Sequence, residues 1–128
     1  ESGLPCYAEC GGLMLLADSL KVHSGKCYSM AGVVPGSVEM TKLLQNFGYC
    51  KIDLPKSGEV RGHEFHYSRW TEESTHANLW DVTRHSTGNS RREGYRTANL
   101  HASYVHLYFP QAASLISEIL RIFPKELA

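Results

Sequence analysis

The residues best suited to covalent chemistry lie near the start of the chain, in the segment 8–12, where Cys10 precedes two glycines. The apolar run 4–8 indicates a short strand, and the run 13–20 has the composition and apolar spacing of a helix. A strand that turns sharply into a helix strains the turn residue and lifts its side chain above the sheet. Small residues flank such a turn, as the alanine and glycine two positions away do here. The pattern predicts that Cys10 is a nucleophile.

The helix after Cys10 would direct free backbone N–H groups and the positive end of its dipole at the sulfur, which favours the thiolate. The same groups can stabilise the oxyanion that forms when a thiolate adds to a carbonyl, and one such donor contributes about 3 kcal/mol. We expect the Gly11 N–H to be this donor, with Gly12 beside it as a further oxyanion- or substrate-binding residue. The alternative is a buried structural cysteine next to a glycine turn. The strand, turn and helix together favour catalysis.

A thiolate nucleophile needs a base, and histidine is the usual one. His106 is the best candidate because it lies near the end of an apolar strand, where a buried imidazole must be hydrogen-bonded. His63 and His66 form an H-x-x-H pattern, but on a strand their side chains point to opposite faces, so a shared metal ion is not expected. Three further histidines fall in polar stretches and are expected at the surface: His23, His76 and His85.

The elements that must position these residues are mostly strands. Strands are predicted at 30–36, 49–54, 60–70, 79–83, 95–101 and 102–109, with a turn at 55–58. A last helix is predicted to begin at Pro110 and end at Pro124, because the apolar residues between them trace one helical face. Helices at both ends enclose a long β-rich middle. We therefore predict an α/β fold, an open mixed sheet with flanking helices and antiparallel additions.

Charge and cysteine content exclude several classes of function. Thirteen Lys and Arg balance thirteen Asp and Glu, so no overall field favours nucleic acid or anionic lipid, and no apolar stretch approaches the roughly 20 residues of a membrane span. The arginine-rich run 84–96 is interpreted as a solvated loop. The cysteines are too sparse for a disulfide scaffold and fit a reduced, cytoplasmic protein in which Cys6, Cys27 and Cys50 pack as small hydrophobic residues. No C-x-x-C occurs, and no metal site is predicted.

Three motifs occur in an order and at separations that are specific at the level of a family. They are Pro5-Cys6-Tyr7-Ala8-Glu9-Cys10-Gly11-Gly12-Leu13-Met14, Gly62-His63-Glu64-Phe65-His66-Tyr67-Ser68 and Ala102-Ser103-Tyr104-Val105-His106-Leu107-Tyr108-Phe109. With these motifs the chain resembles, from about Pro5 to Phe109, the glutamine amidotransferase domain of cobyrinate a,c-diamide synthases.

The resemblance implies a class I, triad-type glutaminase in which residues 1–128 form the C-terminal part of the amidotransferase domain, without its N-terminal strands. Cys10 would attack the side-chain amide of glutamine and His106 would transfer the protons, so that ammonia is released. A synthetase domain ahead of this one, binding ATP and Mg²⁺, would use the ammonia to amidate the a and c carboxylates of a corrin. No cofactor is expected within residues 1–128, and we expect little or no glutaminase activity from them alone.

Departures from the broader triad pattern G-x-C-x-G-x-Q bear on the site. Ala8 stands in place of the first glycine and Met14 in place of the glutamine. The histidine of that pattern is commonly followed by Pro-Glu, whose glutamate completes the triad, but here leucine and tyrosine follow His106. We hypothesise that Glu64, in the second motif, lies behind His106 and orients it instead.

Other functions are compatible with parts of this pattern. A related amidotransferase could act on another tetrapyrrole, such as nickel-sirohydrochlorin or hydrogenobyrinate, because the glutaminase half handles the same glutamine in each case. A cysteine hydrolase for peptides or esters would satisfy the turn alone, but the second and third motifs favour the amidotransferase. A non-catalytic interaction domain could keep the fold, and the presence of both Cys10 and His106 argues against it.

Overall fold

The computed structural model describes residues 2–54 and 58–121, in which ten strands and three helices form. The strands are β1 (Cys6–Glu9), β2 (Ala17–Lys21), β3 (Cys27–Ser29), β4 (Val34–Leu54), β5 (Gly58–Trp70), β6 (Trp80–Arg84), β7 (Ser90–Glu93), β8 (Tyr95–Arg96), β9 (Leu100–Ser103) and β10 (His106–Leu107). The helices are α1 (Gly11–Leu16), α2 (Glu73–His76) and α3 (Phe109–Leu120). None of these helices has both the length and the apolar character that crossing a membrane requires.

A small sheet in the order β1-β9-β8 positions the start of the chain. β1 runs parallel to β9, and their register places Glu9 opposite Ser103. β8 pairs antiparallel with β9. Because β1 ends at Glu9, the turn that follows lies at the end of this sheet, where the Cys10 N–H donates to the Ser103 carbonyl at 2.7 Å.

A larger sheet contains His106. Its strand order is β10-β5-β4-β2-β3, and β6 pairs with β4 and with β7. Its centre is the antiparallel pair of the long strands β4 and β5. β10 pairs antiparallel with β5, and the register places His106 opposite His63 and Leu107 opposite Gly62. The chain leaves the small sheet at Ser103 and enters the large one at His106. The two sheets therefore meet near the end of β1.

Two clusters of buried side chains hold the elements together. One cluster joins α1 to both sheets and consists of Ala8, Leu13, Ala17, Val34, Val38, Trp70, Leu100, Ala102 and Tyr104. The other joins α3 to the large sheet and consists of Cys50, Ile52, Val60, Trp80, Val82, Val105, Leu107 and Ala112. The side chains of β5 alternate between exposed and buried from Glu59 to Trp70. Its buried face contributes Trp70 to the first cluster and Val60 to the second.

The mixed α/β prediction is confirmed. β1–β9 and β2–β4 are parallel pairs, whereas β4–β5, β4–β6 and β5–β10 are antiparallel. The strands predicted at 4–8, 60–70 and 79–83 are present as β1, β5 and β6, and the last helix begins beside Pro110 as predicted. Most of the turn predicted at 55–58, and the helix end predicted at Pro124, lie outside the described residues.

Several predicted boundaries are wrong. The helix predicted over 13–20 stops at Leu16, because the chain from Ala17 onwards pairs with β4 as strand β2. Of the strand predicted at 30–36 only residues 34–36 form a strand, and they belong with the strand predicted at 49–54 to one long strand, β4. The segment 95–109 is divided into β8, β9, β10 and the start of α3, because its strands pair in two different sheets.

The interpretation of 84–96 as a solvated loop is also wrong. β7 and β8 lie within this segment, and the Glu93 side chain is fully buried. Glu93 accepts hydrogen bonds from the Trp80 indole at 3.0 Å, the Ser103 hydroxyl at 2.6 Å and the Tyr104 N–H at 2.7 Å. These buried donors require an acceptor, and a polar segment supplies it.

Candidate active site

Cys10 occupies the turn between β1 and α1 with φ 47° and ψ −102°. A positive φ is uncommon for a residue with a Cβ and marks a strained backbone, here held by flanking hydrogen bonds. The Cys10 N–H donates to Ser103, and the Cys10 carbonyl accepts from the Met14 N–H at 3.2 Å. The strained strand–turn–helix geometry predicted for Cys10 is confirmed.

Close packing explains why the turn is flanked by small residues. A Cβ on Gly12 would lie 3.0 Å from the Cβ of Ala8, which is tighter than ordinary van der Waals contact. A Cβ on Gly11 would have no neighbour within 4 Å, so space does not require that glycine. Gly12 and Ala8 therefore let α1 begin directly against the end of β1. The predicted substrate-binding role of Gly12 stays a prediction.

The ionisation of Cys10 is governed by opposing effects. Partial burial raises the pKa of the Cys10 thiol, a hydrogen bond from the Gly11 backbone lowers it, and the negative charges of Glu64 and Glu9 raise it. The Gly11 hydrogen bond acts in the direction expected of the helix N-terminus, but burial outweighs it, and the net pKa of Cys10 lies above the usual value for cysteine. A base is needed to take the thiol proton.

A carboxylate links the nucleophile turn to His106. Glu9 directly precedes Cys10, and its Oε2 lies 3.5 Å from Nδ1 of His106. The other carboxylate oxygen accepts the Tyr7 hydroxyl at 2.6 Å and the Leu107 N–H at 3.0 Å. The structure thus brings the two predicted catalytic residues, Cys10 and His106, to the same end of β1. Their catalytic roles stay predictions.

A cleft of about 710 Å³ opens beside His106. The imidazole of His63 stacks on that of His106 with ring centroids 4.9 Å apart and planes 20° apart. His85 and Tyr108 also line the cleft, together with Arg61. His106 is about one-third exposed. A small polar molecule can therefore reach the imidazole from solvent.

Glu64 belongs to a different group of side chains. It is 2% exposed and accepts two hydrogen bonds from Arg91, at 2.9 and 2.6 Å. Its Oε1 also lies 3.3 Å from Nε2 of His66. The His66 ring stacks on the Tyr104 ring, with the two ring centroids 3.8 Å apart. The carboxylate that the structure places against His106 is therefore Glu9 rather than the hypothesised Glu64. The alternation of side chains along β5 sends Glu64 to the buried face and His63 to the exposed face.

Hydrogen bonds from His66 and Arg91 determine the charge of Glu64. Burial works to raise the pKa of its carboxyl, but these hydrogen bonds and the positive charge of Arg91 outweigh burial and hold the pKa below its ordinary value. Glu64 is therefore an ionised carboxylate in a buried ion pair. Sequence reasoning missed Arg91 because its neighbours are polar.

The remaining sequence predictions for individual residues have mixed outcomes. His63 is exposed and His66 is buried, which confirms that they point to opposite faces of β5. His23, His76 and His85 are exposed, as predicted. All four cysteines are free; Cys50 is buried and Cys6 half-buried, but Cys27 is exposed, so its predicted place in the core is wrong. Within residues 2–54 and 58–121, no three His, Cys, Asp or Glu side chains are grouped to hold a metal ion.

Known proteins are similar to this chain over most of its length. The model of the CobB/CobQ-like glutamine amidotransferase domain matches residues 1–114. A cobyrinate a,c-diamide synthase of Streptococcus sanguinis is 41% identical over 128 residues, covering 94% of this chain and 28% of the relative. Those of Listeria monocytogenes and Salmonella typhimurium are 40% and 38% identical, over 93% and 94% of this chain.

The chain spans about 28% of the length of these curated relatives. The family match nevertheless includes the Cys10 turn, β5 and His106. The resemblance inferred from the three motifs is thereby confirmed. The chain belongs to the family of CobB/CobQ-like glutamine amidotransferase domains.

Proposed function

We propose that Cys10 is the nucleophile that hydrolyses the side-chain amide of glutamine, and that the ammonia serves the amidation of a corrin. The observation that carries this proposal is the strained Cys10 turn with His106 held beside it through Glu9. Family membership supports glutamine as the amide donor. The relatives' name, cobyrinate a,c-diamide synthase, supports the a and c carboxylates of a corrin as acceptors.

The reaction begins with His106 taking the proton of the Cys10 thiol, which burial otherwise keeps in place. The sulfur adds to the amide carbon, and the Gly11 N–H stabilises the oxyanion. His106 gives its proton to the departing nitrogen, the carbon–nitrogen bond breaks, and ammonia leaves a glutamyl thioester on Cys10. His106 then deprotonates a water molecule that attacks the thioester, which releases glutamate and restores the thiol.

The use of ammonia lies beyond this chain. Amidation of a carboxylate requires its activation, and we propose that ATP with Mg²⁺ performs it outside residues 1–128. We assign no Mg²⁺ to the described residues, because they contain no grouping of three His, Cys, Asp or Glu side chains. Other tetrapyrroles share the same glutaminase chemistry. Assay of the full-length protein with cobyrinate, hydrogenobyrinate and nickel-sirohydrochlorin decides between acceptors.

The glutaminase proposal is tested by ammonia release from glutamine in the full-length protein. The Cys10→Ser variant is expected to lose at least about a thousandfold in kcat, because removal of a covalent nucleophile is among the costliest changes to an enzyme. Cys27→Ser is the matched control, since Cys27 is a free, exposed cysteine. It is expected to keep wild-type activity. A Cys10→Ser variant with more than a tenth of that activity would refute the proposal.

A further inference from the structure

We propose that Glu9 is the positioning residue that orients His106 for proton transfer. The inference rests on the proposed function and adds to it the carboxylate that the sequence lacks after His106. Oε2 of Glu9 lies 3.5 Å from Nδ1 of His106, and both side chains are partly buried, at 19% and 36% exposure. Catalytic hydrogen bonds are often long before substrate binds, so this separation is compatible with such a role.

The carboxylate of Glu9 is held from two other directions. Its Oε1 accepts the Tyr7 hydroxyl and the Leu107 N–H, at 2.6 and 3.0 Å. Burial and the hydrogen bond to Glu9 raise the pKa of Tyr7 far above its usual value, so the phenol keeps its proton and donates. Since Leu107 follows His106 in β10, the Glu9 carboxylate is hydrogen-bonded to the backbone of the strand that contains His106. Oε2 is left to face Nδ1.

This arrangement determines which imidazole nitrogen is basic. In the proposed arrangement Nδ1–H is directed at the carboxylate oxygen 3.5 Å away, which leaves the lone pair of neutral His106 on Nε2 to take the thiol proton of Cys10. The carboxylate also stabilises the imidazolium that exists until the proton passes to the leaving nitrogen. In the broader pattern the glutamate follows the histidine. Here Tyr108 fills that position, and the carboxylate comes from the strand that ends at the nucleophile.

The test compares glutaminase kinetics of variants of the full-length protein. Glu9→Gln keeps an oxygen for the Leu107 N–H but presents an NH₂ group to Nδ1, which favours the wrong tautomer of His106. We expect kcat to fall about a hundredfold or more, with KM within threefold of wild type. Glu72→Gln is the matched control, because Glu72 makes a similar pair with Nδ1 of His76 at 3.2 Å. It is expected to leave kcat unchanged.

A double-mutant cycle separates positioning from a merely structural role. In a His106→Ala background, Glu9→Gln is expected to change the residual rate less than threefold, because there is no imidazole left to orient. A loss as large as in the wild-type background would overturn the inference. So would a Glu9→Gln single variant with kcat within threefold of wild type.

Glu9→Asp and Glu9→Asn form a second pair in case Glu9→Gln does not fold. Both shorten the side chain by one methylene and differ in charge, so the Asp variant is expected to be at least tenfold faster than the Asn variant. Equal rates would overturn the inference. The proposed function fails separately: a wild-type protein that does not hydrolyse glutamine, or a Cys10→Ser variant that does, overturns both claims. An active wild type with an equally active Glu9→Gln overturns only the role of Glu9.

Discussion

Replacing Arg91 with methionine tests the buried ion pair beneath the candidate site. Arg91 on β7 donates to both carboxylate oxygens of Glu64 on β5, at 2.9 and 2.6 Å, and Glu64 is 2% exposed. Arg69 pairs with Glu39 in a similar way, with two nitrogens at 3.2 and 2.8 Å from one oxygen, but the Arg69 side chain is 63% exposed. Arg91 differs from Arg69 in burial and in also lying 3.5 Å from Glu73, so Arg69→Met is the control for an exposed arginine–glutamate pair.

The expected loss follows from leaving Glu64 buried without its cation. Removal of one partner of a buried pair costs about 3–5 kcal/mol, and we expect the lower end because the Arg91 side chain is 25% exposed. A loss of about 3 kcal/mol corresponds to roughly a hundredfold increase in local opening. Because the folded pKa of Glu64 is lowered, the stabilisation is present above about pH 4.5, the unfolded value, and is lost as pH falls through the folded pKa.

Amide hydrogen exchange of the full-length protein at neutral pH measures this loss directly. Peptides from β5 and β7 are expected to exchange roughly a hundredfold faster in Arg91→Met. In Arg69→Met they are expected to exchange as in wild type, because exposed pairs contribute little. Unchanged protection in Arg91→Met, or the same loss in both variants, would refute the reasoning.

Two further changes test burial and packing near the site. Burial raises the pKa of Glu93 to about 7, so its ionisation destabilises the fold as pH rises from about 4.5 to 7. Urea denaturation is expected to show that the free energy of unfolding falls by an amount on the order of 3 kcal/mol over that pH range. Glu93→Gln is expected to remove this pH dependence. A Cβ on Gly62 would lie 2.6 Å from Cγ1 of Val105 and 2.8 Å from the carbonyl oxygen of His106, so Gly62→Ala is expected to cost about 1–3 kcal/mol and to lower kcat. Gly11→Ala is the stability control, because a Cβ there would have no neighbour within 4 Å. A wild-type stability that does not change with pH would contradict the expectation for Glu93. Equal stability of the two alanine variants would contradict the expectation for Gly62.

Local patterns were sufficient where one interaction dominates. The alternation along β5 and the apolar face of α3 depend on burial alone, and both elements form where they were predicted. The end of α1 could not be predicted, because residues after Leu16 that have good helix propensity form strand β2 instead, where they pair with β4. The structure of segment 84–96 could not be predicted for a similar reason: its polar residues include Glu93, which is buried by contacts with residues 10 to 13 positions away.

The site shows the same division between local and distant information. The strained turn at Cys10 follows from small residues between a strand and a helix, and those residues are adjacent in sequence. The partner of His106 is Glu9, which is 97 positions away, and no local pattern links them. The sequence does contain one indication of this contact. Glu9 is the last residue of the predicted strand and directly precedes the nucleophile, so its carboxylate must lie near any residue that packs against that end of the strand. The motif that contains Glu64 reflects its buried pair with Arg91 rather than contact with His106.

Covalent labelling tests the central claim, that Cys10 is the nucleophile for glutamine, most directly. The full-length protein is treated with an electrophilic glutamine analogue, and the modified residue is identified by peptide mass spectrometry. We predict a single adduct on Cys10 that excess glutamine suppresses and that is absent in Cys10→Ser, while the exposed Cys27 stays unmodified. Labelling at another residue, or no labelling of the folded protein, would contradict it.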